Sequence, residues 1–178
     1  LKKINLNPAL IDEVLMGNVV QAGTGQAPAR QAAINAGIPD SVPCTTVNKV
    51  CASGMKTIMQ AAQSIALGDA DIIVAGGMEN MSMVPHMLDR MRDGYRLGHA
   101  KIIDSMYRDG FLCPLSDMLM GATAELLATE CNITRTEQDE FALDSQKKAG
   151  LAWANGHFDS QIAPVTVKSR KGDVVVDR

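Results

Sequence analysis

Cys44-Thr45-Thr46-Val47-Asn48-Lys49-Val50-Cys51-Ala52-Ser53-Gly54-Met55, followed downstream by Asp71-Ile72-Ile73-Val74-Ala75-Gly76-Gly77, is the stretch that decides the fold. Ser41 to Val47 has strand composition in Val42, Thr45, Thr46 and Val47. A helix is predicted from Ala52, with apolar residues at 55, 58, 59, 62, 65 and 66. Those spacings of three and four mark one helical face. Gly68-Asp69 closes the helix, and the apolar run 71–77 is a further strand. Upstream, Glu13 to Val20 reads as a buried strand, Gln21 to Gln26 as a glycine turn, and Pro28 to Ile34 as a helix stopped by Gly37 and Pro39. Strands alternating with helices predict an α/β domain with a parallel sheet.

Past Met78 the character changes. Residues 80–117 are rich in Met, Arg, Asp and Gly without a sustained period, which predicts an excursion over the surface. Helices are expected near 118–131 and 137–154, the second preceded by a capping box, Thr134-x-x-Glu137. Val165 to Lys168 and Asp173 to Val176 flank Arg170-Lys171-Gly172 and predict a hairpin.

Composition narrows the function. The chain has 178 residues, is 46% hydrophobic and 21% charged, and carries a net charge of −3, which is globular composition. No basic patch is present and aromatics make up 3%, so nucleic acid is not an expected partner. The apolar runs are too short to span a bilayer, so no membrane is expected either. The opening Leu1-Lys2-Lys3-Ile4-Asn5 does not read as a signal peptide, and the ends read as those of a piece of a longer protein. Cysteines at 44, 51, 113 and 131 and histidines at 86, 99 and 157 have no metal-site spacing, so no metal is expected. Free thiols in a cytoplasmic compartment are the expectation. Gly23-Thr24-Gly25 does not complete a dinucleotide fingerprint, because Pro28 stands where its third glycine is needed.

Cys51 is the candidate for chemistry. It lies between a strand and the start of a long helix, where free N–H groups and a partial positive charge favour a thiolate. The same N–H groups can hold the oxyanion of an acyl intermediate. Ala52-Ser53-Gly54 are small, leaving room for a bulky substrate to approach. Position alone leaves the alternative of a packed core thiol open.

The words around Cys51 are more specific. Val47 to Lys56 resembles the nucleophile segment of the thiolase family. So do Gly25-Gln26-Ala27-Pro28-Ala29-Arg30-Gln31-Ala32-Ala33 upstream, Gly68 to Ser82 downstream, and Met120-Gly121-Ala122-Thr123-Ala124-Glu125 further on. The motifs occur in order over nearly the whole chain. The resemblance implies a thiolase-like layered α/β/α fold, its N-terminal half, with an inserted loop domain. Residues 1–81 would be part of the core domain carrying the nucleophile. Residues 82–178 would be the inserted, CoA-covering and oligomerisation region. Leu88 to Lys101 would be the loop that ties subunits into a homo-oligomer, a dimer or tetramer.

The implied activity is acyl transfer between coenzyme A thioesters through an acyl group on Cys51, whose own N–H contributes to an oxyanion hole. Two acetyl-CoA would condense to acetoacetyl-CoA and CoA, or the reverse. Coenzyme A would be substrate and product, with no tightly bound cofactor. Met120 matches a methionine lining the acyl pocket. Leu119 replaces the histidine that contacts CoA in many short-chain biosynthetic members, and Phe111 falls where they often have leucine. Longer-chain 3-ketoacyl-CoA cleavage, another condensing enzyme of the same fold, and a non-catalytic acyl-CoA or lipid binder are the alternatives. The family's Asn-Glu-Ala-Phe, Gly-His-Pro and Cys-x-Gly segments do not occur here. The chain alone is therefore expected not to turn over, and to expose apolar surface where a second half would dock.

Overall fold

Glu13–Gly17 (β1) is the central strand of a three-stranded parallel sheet. Cys44–Val47 (β2) pairs on one side, Val14 opposite Cys44, and Ile73–Gly77 (β3) on the other, Val14 opposite Val74. The computed structural model describes residues 1–177. It divides into two compact units, Leu1–Met120 and Gly121–Arg178.

Pro28–Asn35 (α1) links β1 to β2, and Ser53–Leu67 (α2) links β2 to β3. The two crossovers run in opposite directions from the central strand. Right-handed connections then place the helices on opposite faces. The side chains of β1 follow this alternation. Val14 joins a core with Ile11, Ala33, Ile38 and Val42 on the α1 side. The neighbouring Leu15 lines a hollow with Gln60 and Ser64 of α2. The result is the expected layered α/β/α arrangement.

Three strand boundaries differ from the apolar pattern, each for a hydrogen-bonding reason. The first run predicts a strand through Val20, but β1 ends at Gly17 because the Glu79 carboxylate takes the N–H groups of Val19 and Val20. β2 starts at Cys44, not Ser41: Pro43 has no N–H to pair, and its carbonyl accepts from Val14 at 3.0 Å. β3 starts at Ile73, not Asp71, because the Asp12 carboxylate accepts the N–H groups of Asp71 and Ile72 at 2.8 and 2.9 Å.

The orientation of α2 is the main departure. Its apolar stripe lies away from the sheet: Met55 is 69% exposed and Ile58 58%. The sheet-facing positions are the small residues Ser53, Thr57 and Ala61, spaced by four. Small residues win there because α2 sits too close to the strands for anything larger. The Thr57 hydroxyl, fully buried, lies 2.7 Å from the Gly54 carbonyl and 2.9 Å from that of Gly76 in β3. Gly68 ends the helix in a left-handed conformation (φ 79°), as Gly68-Asp69 predicts.

The expected surface excursion contains short elements that no periodicity could announce. His86–Leu88 (β4) pairs antiparallel with Ile102–Asp104 (β5), and Leu112–Cys113 (β6) with Met118–Leu119 (β7). Met106–Phe111 forms a π-helical turn between them. The Asp104 carboxylate accepts from the Met106 N–H, and buried Ser105 donates its hydroxyl to the Pro85 carbonyl.

Met120–Glu130 (α3) follows β7. In the second unit, Arg135–Ala154 (α4) begins two residues before position 137 because Thr134 is the N-cap and Glu137 its third residue, the capping box formed in full. Val165–Val167 (β8) and Val174–Val176 (β9) form the expected hairpin. Among the described residues no helix is long and apolar enough to cross a membrane.

Candidate active site

The site forms where β1, β3 and α2 meet. Gly17 ends β1, Gly77 ends β3 and Gly54 lies in the first turn of α2. A Cβ on Gly17 would stand 2.6 Å from the Gly54 nitrogen, and one on Gly77 3.4 Å from the Gly54 Cα. Three residues without side chains thus let the helix N-terminus rest directly on the carboxyl ends of the strands. In parallel sheets that edge is where ligands bind, because loops converge there and helix N-termini point at it.

Between β2 and α2 the chain makes a tight turn. Asn48 Oδ1 accepts from the Val50 N–H at 3.0 Å. The Ser53 hydroxyl, 4% exposed, accepts from the Lys49 N–H at 2.8 Å and donates to the Val50 carbonyl. Val50 is left-handed, φ 49°. That conformation is a genuine outlier for a β-branched residue. Cys51 follows it, exposed, immediately before the N-cap residue Ala52.

Cys51 lines a cavity of about 420 Å³. Its walls come from four segments: residues 17–20 after β1, the 50–54 turn, residues 77–81 after β3, and Met106, Gly110 and Phe111 of the π-helical turn. The lining is mostly apolar, with Glu79, Asn18 and Ser53 the polar exceptions. Glu79 ties two of those segments together, 77–81 and 17–20. Its carboxylate accepts from the Asn18 side-chain amide at 2.9 Å and from the Val19 N–H at 2.9 Å. The Asn18 amide also donates to the Met78 carbonyl. Asn18 Oδ1 is buried without a protein partner.

Of the residues singled out in the sequence, the structure brings Cys51 and Phe111 to this one cavity. Leu119 pairs with Leu112 in the β6–β7 hairpin and Met120 opens α3; neither lines the cavity. Ser53 has a different place from the one its size suggests. It is buried at the base of the turn, where its hydroxyl bonds the backbone, and it still forms part of the cavity wall. Glu79 and Val50 were legible only as letters within motifs, and Asn18 only as a letter in the first strand run; the cue for Glu79 is its position just past the carboxyl end of an apolar strand.

Cys44 sits half-buried in β2 and Cys131 is exposed beyond α3. The thiol of Cys113 is pulled below its ordinary range by the Ser116 hydroxyl and by the N–H groups of Leu115 and Ser116. No histidine lines the Cys51 cavity among the described residues. Nor do three His, Cys, Asp or Glu side chains there gather into a metal-binding group.

A family model described as "Thiolase, N-terminal domain" matches residues 1–178. The chain belongs to the thiolase family. A probable acetyl-CoA acyltransferase from Staphylococcus aureus (strain COL) is 52% identical over 176 residues, which is 99% of this chain and 45% of that protein. An acetyl-CoA acetyltransferase from Cupriavidus necator is 53% identical over 175 residues, 98% of this chain and 44% of that protein. The crystal structure of the Bacillus anthracis acetyl-CoA acetyltransferase superposes with a TM-score of 0.91 at 42% identity, covering 97% of this thiolase chain and 44% of that one. The chain thus spans less than half the length of these relatives.

Proposed function

We propose that this chain carries the acyl-accepting half of a thiolase active site, with Cys51 as nucleophile. The observation that carries the reading is the exposed thiol of Cys51 on the wall of an apolar cavity, one residue ahead of the α2 N-cap. In the first step the Cys51 sulfur attacks the thioester carbonyl of acetyl-CoA. A bond forms from Sγ to the carbonyl carbon, the carbon–sulfur bond to CoA breaks, and the thiol proton ends on the departing CoA. The backbone N–H of Cys51 contributes to the hole that holds the developing oxyanion. In the second step the carbanion of another acetyl-CoA bonds to the acetyl carbon, the bond from that carbon to Cys51 Sγ breaks with the electron pair left on sulfur, and acetoacetyl-CoA is released; the reaction also runs in reverse.

Coenzyme A is substrate and product in this reading, with no tightly bound cofactor. Residues 82–178 are the inserted lobe that covers it, Leu119 and Met120 belong to the acyl-binding wall, and Leu88 to Lys101 mediates assembly into a homo-oligomer in the cytoplasm. The exposed stripe of α2 is the apolar surface against which the second half of the whole protein docks. Proton transfer to and from the reacting groups falls to Gly-His-Pro and Cys-x-Gly segments that do not occur in these 178 residues.

Intact-mass analysis after exposure to acetyl-CoA tests the reading. One acetyl group on Cys51, lost in Cys51→Ala, with no acetoacetyl-CoA released, is the expected result. Labelling spread evenly over Cys44, Cys113 and Cys131, or absent from Cys51, refutes it. A non-catalytic binder would hold acyl-CoA without the covalent mass, and a series of longer acyl-CoA donors separates acetyl from longer-chain specificity.

A further inference from the structure

We propose that Ser53 and Asn48 are positioning residues: together they hold Val50 left-handed and thereby set the direction in which Cys51 presents its sulfur. This rests on the acyl-transfer reading for its consequence, but its structural content stands on the turn itself. A left-handed valine persists only where its surroundings over-determine it. Here four hydrogen bonds do so. Asn48 Oδ1 takes the Val50 N–H from the solvent side. The buried Ser53 hydroxyl accepts from Lys49 N–H and donates to the Val50 carbonyl, which also accepts the Ser53 N–H at 3.0 Å. Both peptide units flanking Val50 are therefore anchored, and the next residue is Cys51. Ser53 does not line up as a reacting group: it is spent on the backbone and buried. Residue 50 itself offers no chemistry. What the arrangement supplies is geometry, and a misplacement of about 1 Å at a reacting atom costs on the order of 10²-fold in rate.

The test has two readouts on the whole 178-residue chain. The one-bond Cα–Hα coupling and backbone carbon shifts of residue 50 report the sign of φ. The rate at which Cys51 takes an acetyl group from acetyl-CoA reports the consequence. In Ser53→Ala, residue 50 is expected to return to negative φ and acetylation to fall on the order of 10²-fold. Alkylation of Cys51 by iodoacetamide stays unchanged, because the thiol is already exposed. Adding Val50→Gly to Ser53→Ala recovers most of the acetylation rate, since glycine occupies the left-handed region without steric cost. Asn48→Ala, at an exposed position, acts on the same turn without touching the core and shows the same effects to a smaller degree. Residue 50 remaining left-handed in both variants with acetylation unaltered overturns the proposal, as does a loss that Val50→Gly fails to recover. If Cys51 of the unaltered chain takes no acetyl group, the acyl-transfer reading falls alone. The couplings at residue 50 still decide whether Ser53 and Asn48 hold the turn.

Discussion

Gly17→Ala is the substitution that tests most directly how the site is built. The new methyl would lie 2.6 Å from the Gly54 nitrogen and the Ser53 carbonyl carbon, and 2.8 Å from the Ser53 Cβ. Ordinary contact begins near 3.4 Å, so strand and helix must part by about 0.8 Å, the difference between 3.4 and 2.6 Å. Two of the three opposing atoms are backbone and cannot rotate aside. The cost therefore falls near the upper end of the overpacking range, about 3 kcal/mol. For a unit of this size that lowers Tm by roughly 10 °C, at about 3 °C per kcal/mol. Thermal unfolding followed by far-ultraviolet circular dichroism measures it, with Gly110→Ala as the control. A methyl on Gly110 meets the nearest Val20 carbon at 3.5 Å, ordinary contact, and should cost no more than about 0.5 kcal/mol. Because the parting occurs at the α2 N-terminus, acetylation of Cys51 should fall as well, on the order of 10²-fold. A Gly17→Ala chain melting with the control and acetylated at the unaltered rate would mean that the glycine contact does not set the site.

Thr57→Val removes a fully buried hydroxyl shared between the Gly54 and Gly76 carbonyls and should cost about 1–2 kcal/mol by urea unfolding, while Thr57→Ser keeps most of that. The backbone N–H groups of Ile72 and Asp71 hold the Asp12 carboxyl below its ordinary value of 3.8. A carboxylate whose folded pKa is depressed stabilises the fold above its unfolded pKa and loses that contribution as pH falls through the folded one. Asp12→Asn should therefore flatten the acid limb of stability below about pH 4, and an unchanged limb in a pH series of melts would count against the link. Thr134→Ala breaks the capping box at the start of α4 and should cost about 1 kcal/mol of helix stability, seen as earlier amide exchange in the first turn.

Much of this protein was readable from the chain. The alternation of apolar strand and helical stripe defines the parallel α/β order, because a buried central strand must be apolar on both faces. The capping box of α4 and the glycine stop of α2 were local, since their partners lie within a few residues. The ordered motifs around Cys51 carried the family. Strand ends were not legible, because Asp12 and Glu79 reach across about 60 residues to take the N–H groups that a strand would otherwise pair. Nor was the face of α2: its apolar stripe points outward, and only the close approach of Gly17 and Gly77 reserves the sheet side for Ser53, Thr57 and Ala61. The sequence by itself determined that a cysteine would stand between a strand and a helix at the carboxyl edge of a parallel sheet. Tertiary structure alone decided how it stands there. Its direction depends on a left-handed valine, a buried serine hydroxyl and three glycines from separate elements, and contacts between elements distant in the chain leave no mark in local pattern.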